Sequence, residues 1–236
     1  LGGSTDYLTA TSADFRGSDS VGSISAWVKT SDNGVILSAS DTGSTQYFIL
    51  FYISSGYLYL THKDANTVTQ ELRSTQTIND GSWHHVAITS NGSACTFYID
   101  GVSETIVVGG GANNGDWYGD MTASKLDNVV IGNSVTSSGA SSSFDGSLAD
   151  VRYYSAALTA ADVAILASKI QVDDALTSIQ AVHHWPLNSA TISTSGVGDC
   201  VGSATAIDMT PTNIVAGNFD YDAFSVNVQD NTTTTD

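Results

Sequence analysis

Between residues 23 and 155 apolar and polar positions alternate in short runs, and turn residues separate the runs. In SISAWVKT (23–30), Ile24, Ala26 and Val28 fall on one face and Trp27 on the other. A period of two puts successive side chains on opposite sides of a strand. GVILSAS (34–40) and QYFILFYIS (46–54) follow, and GYLYLTHK (56–63) sets Leu58 and Leu60 against Tyr57 and Tyr59. HHVAITS and ACTFYIDG make a further pair, and NVVIGN (128–133) and GSLADVRYYS (146–155) add two more strands. Ser54-Ser55-Gly56, Asn91-Gly92-Ser93 and Asp100-Gly101 are hairpin signals, because tight turns between strands need residues that tolerate positive φ. The pattern predicts an all-β fold, a two-sheet antiparallel sandwich.

One helix interrupts it. In LTAADVAILASKI (158–170) Thr159 is a good N-cap, with Asp162 three residues on as its capping-box partner. Leu158 and Val163 can form a hydrophobic staple, and Val163, Leu166 and Ile170 share a face that would lie on the sandwich. Beyond Ile170 the texture changes. QVDDALTSIQ reads as a linker or short helix, AVHHWPLN (181–188) as a strand, and the tail from about residue 229 as disordered. The division expected is a sandwich over 1–170 and a C-terminal extension over 171–236.

Composition narrows the function classes. Apolar residues make up 41% of the 236, enough for a core, and only 13% are charged. The formal charge is −17, from 24 acids and 7 bases. That disfavours nucleic acid and anionic membrane surfaces, which need clustered Lys and Arg. It suits an extracellular or salt-exposed protein with carboxylates free for a hard cation such as calcium. No apolar run approaches the length of a membrane span, and no signal peptide is visible. The first residue is Leu1, so a processed product or fragment is expected. Cys95 and Cys200 fit neither a zinc knuckle nor a redox pair; one disulfide and two buried thiols both remain open.

Three stretches resemble the laminin-G-like branch of the concanavalin A-like lectin/glucanase superfamily, which includes pentraxins. LGGSTDYLTA (1–10) leading into SISAWVKT is similar to its opening strands. DGSWHHVAITSNGSACTFYIDG (80–101) is similar to its central hairpin, and FDGSLADVRYYSAALTAADVAIL (144–166) to its closing strand and helix. The resemblance covers about residues 1–170 and implies a jelly-roll. AVHHWPLNSATISTSGVGDCVGSATAIDMT (181–210) resembles the family's first strand and loop, here at the wrong end of the chain. Three explanations stand: a circular permutation filling the segment's own place, exchange into a neighbouring subunit, or a truncated second repeat. A sandwich lacking a strand has an unpaired edge that an incoming strand repairs, and an exchange that does not close builds a filament.

Four of the five histidines sit in two pairs beside tryptophan, at His84-His85 and His183-His184. Strand neighbours face opposite sides, so neither pair can converge on one metal, and ordinary strand histidines are expected. Catalysis is not expected. Glu71 and Glu104 are the only glutamates, and no run of alternating carboxylates flanks a bond as in retaining glycosidases of this fold. TQELRST (69–75) resembles the Glu-Leu-Arg strand of alginate-lyase sandwiches, but that group's other motifs are missing; Glu71 and Arg73 read as a same-face pair on a solvated strand.

Binding is the expected class. The candidate ligand site is the long loop 109–120, with Trp117 and Tyr118 as sugar-stacking rings and Asp116, Asp120, Asn113 and Asn114 as polar partners. The other long loop, 134–143, reads as plain surface. The resemblance implies a structural calcium at Asp150, with Asp145 nearby and Asp199 in the loop that resembles the family's first Asp-Gly loop. The function expected is a non-catalytic lectin-like module of an extracellular, cell-surface or virion-surface assembly, such as a phage fibre, capsid decoration or microbial adhesin. Its expected partners are glycans and other copies or structural subunits. The alternatives are a purely structural subunit polymerising by strand exchange, and a polysaccharide-cleaving enzyme.

Overall fold

The computed structural model describes residues 6–168, 179–187, 192–193, 196–197 and 209–212. The strands run β1 (Tyr7–Thr11), β2 (Gly22–Lys29), β3 (Gly34–Ser40), β4 (Phe48–Ser54), β5 (Tyr57–Asp64), β6 (Thr67–Thr77), β7 (Trp83–Ser90), β8 (Cys95–Ile99) and β9 (Val102–Ser103). They continue with β10 (Val107–Gly111), β11 (Asn128–Ile131), β12 (Ser134–Thr136), β13 (Gly139–Ser141) and β14 (Ser147–Tyr154). The helix α1 (Ala160–Ser168) follows, then β15 (His183–Trp185), β16 (Ile192–Ser193), β17 (Gly196–Val197) and β18 (Thr210–Thr212).

Two antiparallel sheets form a jelly-roll sandwich. One has the order β10-β6-β5-β4-β3-β11-β1-β18, the other β15-β14-β2-β7-β8-β9. Each strand sends alternate side chains between the sheets. Ile49, Phe51 and Ile53 of β4 and Leu58 and Leu60 of β5 meet Ile24, Ala26 and Val28 of β2 and Val86 and Ile88 of β7. Burying each large aliphatic side chain contributes ~1.5–3 kcal/mol, which holds the layers face to face. Between β4 and β5 the chain reverses through Ser55 (φ 50°) and Gly56 (φ 81°), the left-handed pair that a two-residue hairpin needs.

The helix lies on the far side of the second sheet. Thr159 and Asp162 cap it reciprocally: Thr159 N donates to the Asp162 carboxylate (2.9 Å) and Asp162 N to Thr159 Oγ1 (3.2 Å). Val163 and Leu166 pack on Ala87, Tyr98 and Tyr154. Ile170 lies outside the described residues.

The C-terminal extension reaches both sheets. β15 pairs with β14 of its own chain, Val151 opposite Trp185 and Tyr153 opposite His183, and buries the Trp185 ring completely in the core. β18 pairs with β1 on the rim of the other sheet, where Pro211 is tolerated on an edge strand, and Met209 beside it is buried. The tail from residue 229, Asp199 and Cys200 lie outside the described residues. Cys95 is a free, buried thiol.

Candidate functional site

The outer face of β4, β5 and β6 carries aromatic, hydroxyl, acidic and basic side chains side by side. Alternation turns Leu50 and Tyr52, Tyr59 and Thr61, and Glu71 and Arg73 outward, each half-buried except the buried Thr61. Register sets them in rows. Tyr52 stands opposite Tyr59, which stands opposite Arg73; Leu50 stands opposite Thr61, which stands opposite Glu71. The Tyr52 and Tyr59 rings stack at 5.1 Å between centroids and 24° between planes. A stacked pair leaves the far face of each ring uncovered by the other. Tyr52 Oη and Thr61 Oγ1 share a hydrogen bond of 3.2 Å. Burial raises the pKa of Tyr52, and the nearby Glu71 and Tyr59 add to the rise, against the Thr61 hydrogen bond that lowers it. Its hydroxyl is therefore a neutral donor and acceptor at physiological pH.

Two cations lie on rings of the same face. The Arg73 guanidinium is 4.6 Å from the Tyr57 centroid, and Lys63 Nζ is 5.3 Å from that of Phe48. The face has a wall and an open side. The β12–β13 hairpin crosses over β3, holding the outward Ser38 hydroxyl on the Asn133 carbonyl at 2.8 Å and Ser40 on the Val135 carbonyl. On the other side, β10 lays Gly109, Gly110 and Gly111 next to Glu71 and Gln70. A Cβ at Gly109 would stand 2.7 Å from Glu71 Oε1, so the missing side chain leaves that carboxylate reachable.

The loop 109–120 corrects the expectation placed on it. Trp117 and Tyr118 are 0% and 1% exposed, so neither ring offers a face to a ligand. Trp117 Nε1 donates to Tyr153 Oη (2.9 Å), which donates to Asp19 Oδ2 (3.0 Å). Tyr118 meets Phe15 and Tyr153 edge-on, at 5.5 and 5.2 Å. Gly22 leaves the indole its space, since a Cβ there would lie 2.2 Å from Trp117 Nε1. The loop turns inward because strand residues satisfy its backbone. Gln70 accepts from Gly115 N and donates to the Asp116 carbonyl. His62 Nε2 donates to the Trp117 carbonyl at 3.1 Å, and burial keeps that imidazole below its usual pKa and neutral.

The polar residues proposed for the site serve the same loop. Asn113 bridges Cys95 N and O, Asn114 Oδ1 accepts from Asp116 N, and Asp120 Oδ2 accepts from Trp117 N at 2.8 Å. Asn114 and Asp120 are exposed and Asp116 half-buried, and the two rings of their own loop, Trp117 and Tyr118, are enclosed.

Asp150 does not fit a calcium ligand. It is 4% exposed, and its Oδ1 already accepts from Arg152 Nε (2.9 Å) and His184 Nε2 (2.5 Å). A guanidinium at that distance repels a divalent cation brought to the same carboxylate. Asp145 is exposed, and among the described residues no three His, Cys, Asp or Glu gather as a metal site. The histidine pairs split between opposite faces. His84 bonds Asp100 (2.8 Å) and Asp80 (3.2 Å), while His85 is buried edge-on to Trp27. His183 stacks on Trp185 at 5.3 Å, and His184 turns to Asp150.

A family model described as the concanavalin A-like lectin/glucanases superfamily matches residues 2–164. No curated protein matches the sequence. Among solved structures, a Bacteroides ovatus protein inferred to bind carbohydrate is similar at 20% identity and TM-score 0.60, over 89% of this chain and 58% of that one. The chain therefore spans less than two thirds of that protein. The CBM40 of the Ruminococcus gnavus IT-sialidase, bound to α2,6-sialyllactose, is similar at 14% identity and TM-score 0.55, over 70% of this chain and 94% of that one. At such identities the likeness is one of fold. Among the described residues no helix is long and apolar enough to cross a membrane.

Proposed function

The chain belongs to the concanavalin A-like lectin/glucanases superfamily, and from that premise we propose that it is a glycan-binding module whose ligand face is the outer side of β4, β5 and β6. The observation that carries the reading is the half-exposed Tyr52–Tyr59 stack, with Thr61, Glu71 and Arg73 in the adjoining positions of the sheet. Aromatic faces take the apolar C–H side of a sugar ring, and the neighbouring hydroxyl, carboxylate and guanidinium offer hydrogen bonds to its hydroxyl groups. The solved relatives that hold or are inferred to hold carbohydrate support the reading at the level of fold.

The module binds without cleaving. Hydrolysis of a glycosidic bond by the common routes needs two carboxyl groups about 5–9.5 Å apart. Among the described residues, Glu71 is the only acid that β4, β5 and β6 turn to the outer face. Glu104 bonds Thr75 and Gln76, four residues further along β6, about 13 Å away at the rise of a strand. An extracellular or surface setting accords with this reading and with the charge of −17.

A glycan array probed with the full chain and with Tyr59→Ala tests it. The reading expects wild-type binding to defined glycans and its loss in the variant. Equal binding by both proteins would place the site elsewhere.

A further inference from the structure

Resting on that reading of the face, we infer that the glycan it takes is acidic and that Arg73 holds its carboxylate. In a chain with 24 acids and 7 bases, carboxylates far outnumber the basic side chains. Arg16 pairs with Asp19 at 2.7 Å and Arg152 with Asp150 at 2.9 Å. Arg73 does not: among the described residues no carboxylate pairs with it. Glu71 is on the same side of the same strand without an ion pair to Arg73, and Glu104 is turned to Thr75 and Gln76. The guanidinium instead lies over Tyr57, and Nη1 donates to the Ser74 carbonyl at 3.1 Å.

Those two contacts fix the plane of the guanidinium and leave N–H groups on its free edge. A planar fork held in advance matches the two oxygens of a carboxylate and loses little freedom on binding. Lys63 repeats the arrangement. It sits over Phe48, donates to the Thr45 carbonyl at 3.1 Å, and has no carboxylate partner among the described residues. Lys63 is four residues along β5 from Tyr59, the cross-strand neighbour of Arg73, or about 13 Å. That separation exceeds one sugar ring, so an oligosaccharide with charged units reaches both cations across the tyrosine stack. Glu71 lies between them, beside Thr61, where a hydroxyl-bearing part of the ligand can donate to it.

The test is an array carrying uronate-containing, sialylated, sulfated and neutral glycans, together with methyl esters of the carboxylated ones. It is probed with wild type, Arg73→Lys, Arg73→Gln and Tyr59→Ala, each first checked for an unchanged thermal transition. The inference expects carboxylated glycans among the bound set and their methyl esters outside it. Arg73→Gln should lose roughly ten- to hundredfold in affinity, the range of a hydrogen bond to a charged group, with partial retention in Arg73→Lys. Binding of neutral glycans, of methyl esters or of sulfated glycans as tightly as the carboxylated ones would overturn it. So would an Arg73→Gln variant that binds like wild type while Tyr59→Ala fails, which would leave the face standing and remove the carboxylate. Binding unaffected by either substitution, or no binding at all, would overturn the face and the carboxylate together.

Discussion

Replacing Trp117 by Phe separates a structural ring from a ligand-binding one. The indole is fully buried, and its Nε1 supplies a hydrogen bond to Tyr153 Oη. The substitution removes that bond, a net loss of about 1 kcal/mol. It also empties the space of the second ring; at about 24 cal/mol per Å³ of residual cavity, a void of that kind costs about 1 kcal/mol more. Tyr153 keeps its bond to Asp19, so no hydroxyl is left without a partner. The sum is about 2 kcal/mol, or a fall of about 4–8 °C in Tm for a domain of this size. Urea titration followed by circular dichroism measures the first quantity and a thermal scan the second. Glycan binding by the folded variant should match wild type. A Trp117→Phe protein as stable as wild type but unable to bind its glycan would refute the packing assignment.

Trp185→Ala should cost about 3–5 kcal/mol, a large share of the stability of a typical domain, because the ring is enclosed in the core of its own chain; an unchanged urea midpoint would show that β15 does not complete this sandwich. Stability should fall as the pH drops from about 6.5 towards 4. Burial holds His85 down to about 4 and lowers His62 as well, so below 6.5 the unfolded chain takes up protons that the folded one refuses. For His85 alone that amounts to about 3 kcal/mol, and His85→Gln should flatten the dependence of Tm on pH over that window. Cys95, whose thiol burial pushes up to about 12, should react with a thiol reagent only at the rate of unfolding; rapid labelling of Cys95 in the native protein, located by mass spectrometry, would contradict its enclosure.

The sandwich was legible because its signals are local. The set of Leu58 and Leu60 against Tyr57 and Tyr59 is the observed division between core and outer face, and the Thr159–Asp162 box caps the helix as its spacing indicates. The proposed ligand face was only half legible. Glu71 and Arg73 showed as a same-face pair, but QYFILFYIS reads as one apolar run, which hides that Tyr52 faces outward. Its pairing with Tyr59 depends on hairpin register. Trp117 and Tyr118 misled because a polar, glycine-rich loop reads as surface. What draws them inward is the supply of hydrogen bonds from Gln70, Ser90 and His62, which lie 25 or more residues earlier in the chain. Asp150 misled for a related reason: His184, one of its two partners, comes from the extension 34 residues later.

The measurement that bears most directly on the central claim is glycan affinity by calorimetry, using the tightest ligand from an array, for wild type, Tyr59→Ala and Asp120→Ala. The account predicts that Tyr59→Ala loses binding with its thermal transition intact and that Asp120→Ala binds like wild type. Retained binding in Tyr59→Ala together with loss in Asp120→Ala would contradict it and return the site to the loop 109–120.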